Sequence, residues 1–229
     1  MQKENFESNS RRAMLLGLGS MAGVAVVVPT LANAQSRGSR FQPSRHAADA
    51  WMDELPGDHR IFIDTATGRG GAEGLLYANN LNAATQSAYA GEDSSVAMIL
   101  CYRHFSTPFA FNDAMWEKYG EIFHSVTQIA DPDTNAAPRI NLLRSEAYGL
   151  RVPNFGMTID AASEMGVSIA ICDAATQFLS TQIAPATGQE QAAVYNELRA
   201  NAVPGRFVSA GVMALTRAQE YGYSLLYAG

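Results

Sequence analysis

The chain has 229 residues, 47% of them hydrophobic, and a formal net charge of −6 from 16 basic and 22 acidic side chains. The acidic balance argues against a nucleic-acid partner, whose phosphates need a basic footprint, and the apolar content suffices for one domain with a real core. Two cysteines are too few for a disulfide framework.

The stretch "SNSRRAMLLGLGSMAGVAVVVPTLANAQ" (8–35) sets Arg11 and Arg12 before an apolar run from Ala13 to Val28, followed by Pro29 and Ala32-Asn33-Ala34. This is the layout of an export signal with a small-x-small cleavage site. The run of 16 residues falls short of the roughly 20 that span a bilayer. The paired arginines resemble a twin-arginine signal, the route taken by proteins that fold before export. A general secretory signal and an uncleaved anchor are the alternatives. The expected organisation is a signal over 1–34, a partly disordered leader over 35–55 and an α/β domain over 56–229, with the protein in the periplasm. Removing 1–34 takes away Lys3, Arg11 and Arg12 against Glu4 and Glu7 and leaves a charge of −7. No later apolar run reaches spanning length, so no membrane association is expected after cleavage.

"HRIFIDT" (59–65) predicts a buried strand. "DTATGRGGAEG" (64–74) then leads into a helix over 72–91 that Gly91 suits as an end. Gly68 and Gly70 could cradle an anion on backbone N–H groups. However, Glu73 stands where the third glycine of a dinucleotide fingerprint belongs, and no Gly-Lys-Ser/Thr follows. A tight turn that needs small residues is the plainer reading, and no cofactor is expected. "SSVAMILCY" (94–102) is a second strand, and "CYRHFSTPFAFNDAMW" (101–116) brings Arg103, His104 and the aromatics Phe105, Phe109, Phe111 and Trp116 to its end as a candidate pocket. His104 suits acid–base work near neutral pH or simple packing. No histidine shows metal-ligand spacing, so no zinc site is expected.

A helix follows over 111–123, capped by Asn112. Residues 126–155 carry three prolines and read as a long loop, either functional or mobile. A short helix over 158–166 precedes "GVSIAICDAATQFLS" (166–180), a strand running straight into a helix with Cys172 at the junction. There the unpaired amides of the first turn favour a thiolate, Asp173 opposes it, and Ala174 and Ala175 leave room. A small core thiol is the alternative. The helix is expected to be interrupted by Pro185 and Gly188. A further helix (190–204), a strand (206–211), a helix (212–222) and a fifth strand (223–229) complete the chain.

Apolar strands alternating with helices mark a parallel sheet buried on both faces. The simplest topology is a doubly wound three-layer sandwich. Ligands in such folds bind beyond the carboxyl ends of the strands, which singles out the loops after Thr65, Tyr102, Cys172 and Ser209. If the first strand lies between theirs, Cys101 and Cys172 would lie roughly 9–10 Å apart, beyond the ~7 Å a disulfide allows, and pairing would need neighbouring strands or a loop that swings over. Two free thiols are expected.

Three segments, "RIFIDTATG…GLLYANNLNAA", "VSIAICDAAT" and "FVSAGVMALTRAQEYGYSLLY", resemble the DsrE/DsrF-like superfamily over about residues 59–228. "YRHFSTPFAFNDAMWEKY" is similar to a feature of its exported subgroup. The resemblance implies a flavodoxin-like sandwich with a mainly parallel five-stranded sheet, assembled into homo-oligomers. It also implies that Cys172 carries sulfur as a persulfide between a donor and an acceptor protein. The expected function is therefore sulfur relay through Cys172, with Arg103 or His104 near the anion. The alternative is a small-molecule binding module in which the glycine-rich turn, the aromatic loop and the 126–155 segment close over a ligand and Cys172 only packs.

Overall fold

Each apolar run becomes a strand of one sheet, and the face taken by each connecting helix decides where the next strand lies. The computed structural model describes residues 42–92 and 94–229. The signal read in 1–34 and the start of the leader lie outside the described residues. The domain extends from Pro43 to Gly229. Strands β1 (His59–Thr65), β2 (Val96–Tyr102), β3 (Ser168–Cys172), β4 (Arg206–Val208) and β5 (Ser224–Ala228) pair in the order β4-β3-β2-β1-β5, and every pair is parallel. The helices are α1 (Trp51–Glu54), α2 (Gly68–Ala88), α3 (Asp113–Thr127), α4 (Ile159–Glu164), α5 (Asp173–Thr187), α6 (Gln191–Ala200) and α7 (Gly211–Glu220).

A right-handed crossover steps one way along a sheet when its helix lies on one face and the other way when it lies on the opposite face. From β1 to β4 the chain steps steadily in one direction. Leu75 of α2, Trp116 of α3, Leu179 of α5 and Val194 of α6 join Ile63, Leu100, Tyr102 and Ile171 in one core. From β4 the chain returns across the whole sheet to β5. Ala214 and Ala218 of α7, with Trp51 and Met52 of α1, pack on the opposite face against Phe62, Ile99, Cys101 and Ala170. The result is a three-layer α/β sandwich of the flavodoxin-like kind, except that the fifth strand, not the second, takes the far side of β1.

Four features differ from the sequence reading. β2 and β3 are direct neighbours, so β1 does not separate the cysteines; Cys101 aligns with Ala170, and Cys172 lies two residues further along on the same face. Both are nevertheless free thiols. Pro185 sits inside α5, in its last turn, and only Gly188, at φ 68°, stops the helix. Most of 126–155 is pinned: Asn141 donates from Nδ2 to the carbonyls of Phe109 and Phe111, both at 2.8 Å, and Leu142, Leu143 and Val152 are buried. The later part of the expected leader also packs on the α7 face. There Arg217 donates to Asp49 at 3.0 Å, and Trp51 and Met52 are buried.

Candidate functional site

Side chains alternate between the faces of a strand, so a residue two places beyond a core residue shares its face. Phe62 and Ile99 point toward α7. Asp64, Cys101, Arg103 and Cys172 follow on that side, at the carboxyl ends of three adjacent strands. This is where the topology directs ligands.

Arg103 and Asp64 form a two-pronged ion pair. Nε donates to Oδ1 at 2.6 Å and Nη2 to Oδ2 at 2.7 Å, with the Asp64 carboxylate almost fully buried. The bond to Asp64 raises the already high pKa of the guanidinium. The backbone of Arg103 is held as well: its N–H donates to Ser106 Oγ at 3.0 Å, and that hydroxyl lies 2.9 Å from the Thr65 carbonyl.

Cys172 is the N-cap of α5. Its sulfur accepts the N–H of Ala175 at 3.4 Å and the N–H of Gly211 at 3.2 Å. The two donors belong to the first turns of two different helices, α5 and α7, whose unpaired amides carry partial positive charge. Glycine is needed at 211 because a Cβ there would stand 2.6 Å from the Cβ of Arg103. The aliphatic stem of Arg103, whose head is held by Asp64, thus lies directly against the start of α7. Cys101 lies beneath, fully buried. Burial pushes its thiol well above the ordinary value, Cys172 and Asp64 push it further, and Arg103 opposes them.

A cavity of about 420 Å³ opens at Cys172, walled by Phe105, Val126, Phe178, Leu179 and Val212 and bordered by Arg103 and His104. His104 adopts a left-handed conformation, φ 55°, with its ring 3.9 Å from that of Phe105. Such a conformation is uncommon outside glycine and frequent at functional turns.

The structure brings together Cys172, Arg103 and His104. Gly68, Gly70 and Asp173 do not line the cavity. Backbone of Thr127 and Ala228 closes on the two glycines, and the N-cap Thr67 accepts the Gly70 N–H at 2.8 Å, so the glycine-rich turn is tight packing. Asp173 turns toward α6, where it accepts from Tyr195 at 2.8 Å and pairs with Arg199. Phe109, Phe111 and Trp116 are core residues. Of the 126–155 segment only Val126 reaches the cavity. Sequence reasoning missed three contributors: Asp64, the Gly211 amide and the Phe178 ring. An acid directly after the apolar Ile61-Phe62-Ile63 run of β1 was the available sign of Asp64.

No protein-family model, characterised protein or solved structure matches this chain. Among the described residues no three His, Cys, Asp or Glu side chains cluster as a metal site, and no helix is long and apolar enough to cross a membrane.

Proposed function

We propose that this chain is an exported DsrE-like protein that carries sulfane sulfur as a persulfide on Cys172. One observation carries the reading: the Cys172 sulfur accepts two main-chain amides, from α5 and α7, and faces an open cavity. Fixed donors aimed at a developing anion need no rearrangement when charge arrives. The thiolate attacks the outer sulfur of a donor, a new S–S bond forms as the donor's S–S bond breaks, and the carried sulfur later passes to an acceptor thiol. Because Arg103 is committed to Asp64, the amides rather than a free cation hold the negative sulfur. The expected setting is the periplasm after twin-arginine export, in a homo-oligomer, with a sulfur donor or acceptor protein as partner.

The test is intact-mass analysis of the purified chain after exposure to a persulfide donor. The expected adduct is about 32 Da, one sulfur atom, removable by reductant and absent from Cys172→Ser. A Cys172→Ser protein that still takes up all the sulfur overturns the reading. The apolar walls of the cavity favour a second reading, a binding module. In that case a small molecule remains with the purified protein, and Cys172 of the folded chain resists alkylation.

A further inference from the structure

Resting on the sulfur-carrier reading, we infer that the donor served by the Cys172 cavity is an organic hydropersulfide with an apolar body, and not an inorganic anion such as thiosulfate. Beside the sulfur, the ionisable side chains that border it are Arg103 and His104. The charge of Arg103 is spent on the buried Asp64 carboxylate through two bonds, at 2.6 and 2.7 Å. His104 stands exposed at the rim. The nearby acid, Asp173, is turned away and paired with Arg199. The pocket thus offers polar donors at one point, the sulfur, and carbon elsewhere: Phe105, Val126, Phe178, Leu179 and Val212.

An anion that leaves water without a cation to pair with is heavily penalised. Thiosulfate would bring two negative charges to a thiolate and leave as sulfite, also a dianion, with no unpaired cation among the described residues that wall the cavity. A hydropersulfide carries at most one negative charge, its protonated form escapes that cost, and its organic group buries apolar surface on the walls. The volume, about 420 Å³, falls within the range of sites for small organic ligands. The transfer balances without an oxidant. Cys172–S⁻ attacks the terminal sulfur of R–S–SH, the Cys172–S bond to that sulfur forms, and the R–S bond to it breaks. The proton stays on the transferred sulfur, and R–S⁻ departs and is protonated by solvent.

The experiment compares the rate of appearance of the about 32 Da adduct on the purified chain with three probes: benzyl hydropersulfide, cysteine hydropersulfide and thiosulfate. The benzyl compound is expected to load at least about tenfold faster than cysteine hydropersulfide, the scale on which apolar pockets discriminate, with thiosulfate slowest. In Phe178→Lys, a substitution on the exposed face of α5, the order shifts toward thiosulfate. Asp64→Asn, which frees the charge of Arg103, shifts it the same way. Equal loading by the three donors, or fastest loading by thiosulfate, overturns the inference and leaves the carrier reading standing. Loading by none of them, with Cys172 still alkylated, overturns both.

Discussion

On the face covered by α2 to α6, Trp116 lies 5.4 Å from the stacked ring of Phe109 and meets Phe123 edge-on at 5.1 Å. On the α7 face lie a part-buried ion pair and two thiols. Among the described residues the first face is covered by five α-helices, the second by α7 and the four-residue α1. The first arrangement supplies stability through area and packing. The second gives up packing where a single helix start meets the sheet, and that is where polar and nucleophilic groups gather. The chemistry thus gathers at the carboxyl edge of the sheet, where the α7 face meets the ends of α3 and α5.

The sharpest way to break this division is Trp116→Ala. Loss of a fully buried indole, whose Nε1 donates to the Pro108 carbonyl at 3.1 Å, is expected to cost about 3–5 kcal/mol in denaturant unfolding. At temperatures where the variant remains folded, sulfur loading at Cys172 is expected to be unchanged; a specific loss of loading would show that the faces are coupled.

Alkaline unfolding probes both faces together. Burial raises the pKa of Cys101 above its ordinary 9.0 and that of Tyr102 above its ordinary 10.0. The unfolded chain therefore loses these protons first. Between the unfolded and folded values the native state binds more protons, so stability is full below about pH 9 and falls as pH rises. The slope is about 1.4 kcal/mol per pH unit for each group once it is ionised in the unfolded chain. Urea melts from pH 8 to 11 measure this. Cys101→Ala is expected to remove the onset near pH 9, and Tyr102→Phe the later steepening.

Asp64→Asn tests the α7 face alone. It leaves Arg103 without its carboxylate and is expected to cost about 2 kcal/mol, less than a fully buried pair because the guanidinium is partly exposed. Loosening of the Arg103 side chain beneath Gly211 is expected to change the alkylation rate of Cys172, read by mass spectrometry. The smallest effect belongs to the sealed face at neutral pH. The Tyr102 hydroxyl is buried and has no partner among the described residues, so Tyr102→Phe is expected to be neutral or to stabilise by up to about 1 kcal/mol. A clear loss of stability would reveal a partner for that hydroxyl.

How much of this was legible in the sequence depends on the range of the interaction. β1 was readable to the residue because Pro56-Gly57 and the glycine-rich turn bracket an apolar run. The Cys172 junction was readable for the same reason: the strand and the helix are each local. Strand order was not, since continuous apolar runs look alike whichever neighbour they take. For that reason the two cysteine-bearing strands were expected to be separated and are adjacent. Asp64 gained meaning only from its register with Cys101 and from the reach of Arg103, 39 residues away. The Gly211 donor is a main-chain group, which no residue type announces. Phe178 was placed on a helix, but nothing in the helix pattern says which aromatic ring edges a cavity and which enters the core.

The contact between Gly211 and the cysteine has a consequence for how this chain can vary. A hydroxyl or an amide side chain in that position could be lost by any of many substitutions or could rotate out of line. A peptide N–H cannot rotate independently, and of the twenty amino acids only proline lacks it. Size is the constraint at 211: a side chain there would meet Arg103 and push the helix start outward, lengthening the bond. The polarity around the thiol is thus written into the path of the backbone, where single-residue drift can weaken it but can scarcely delete it.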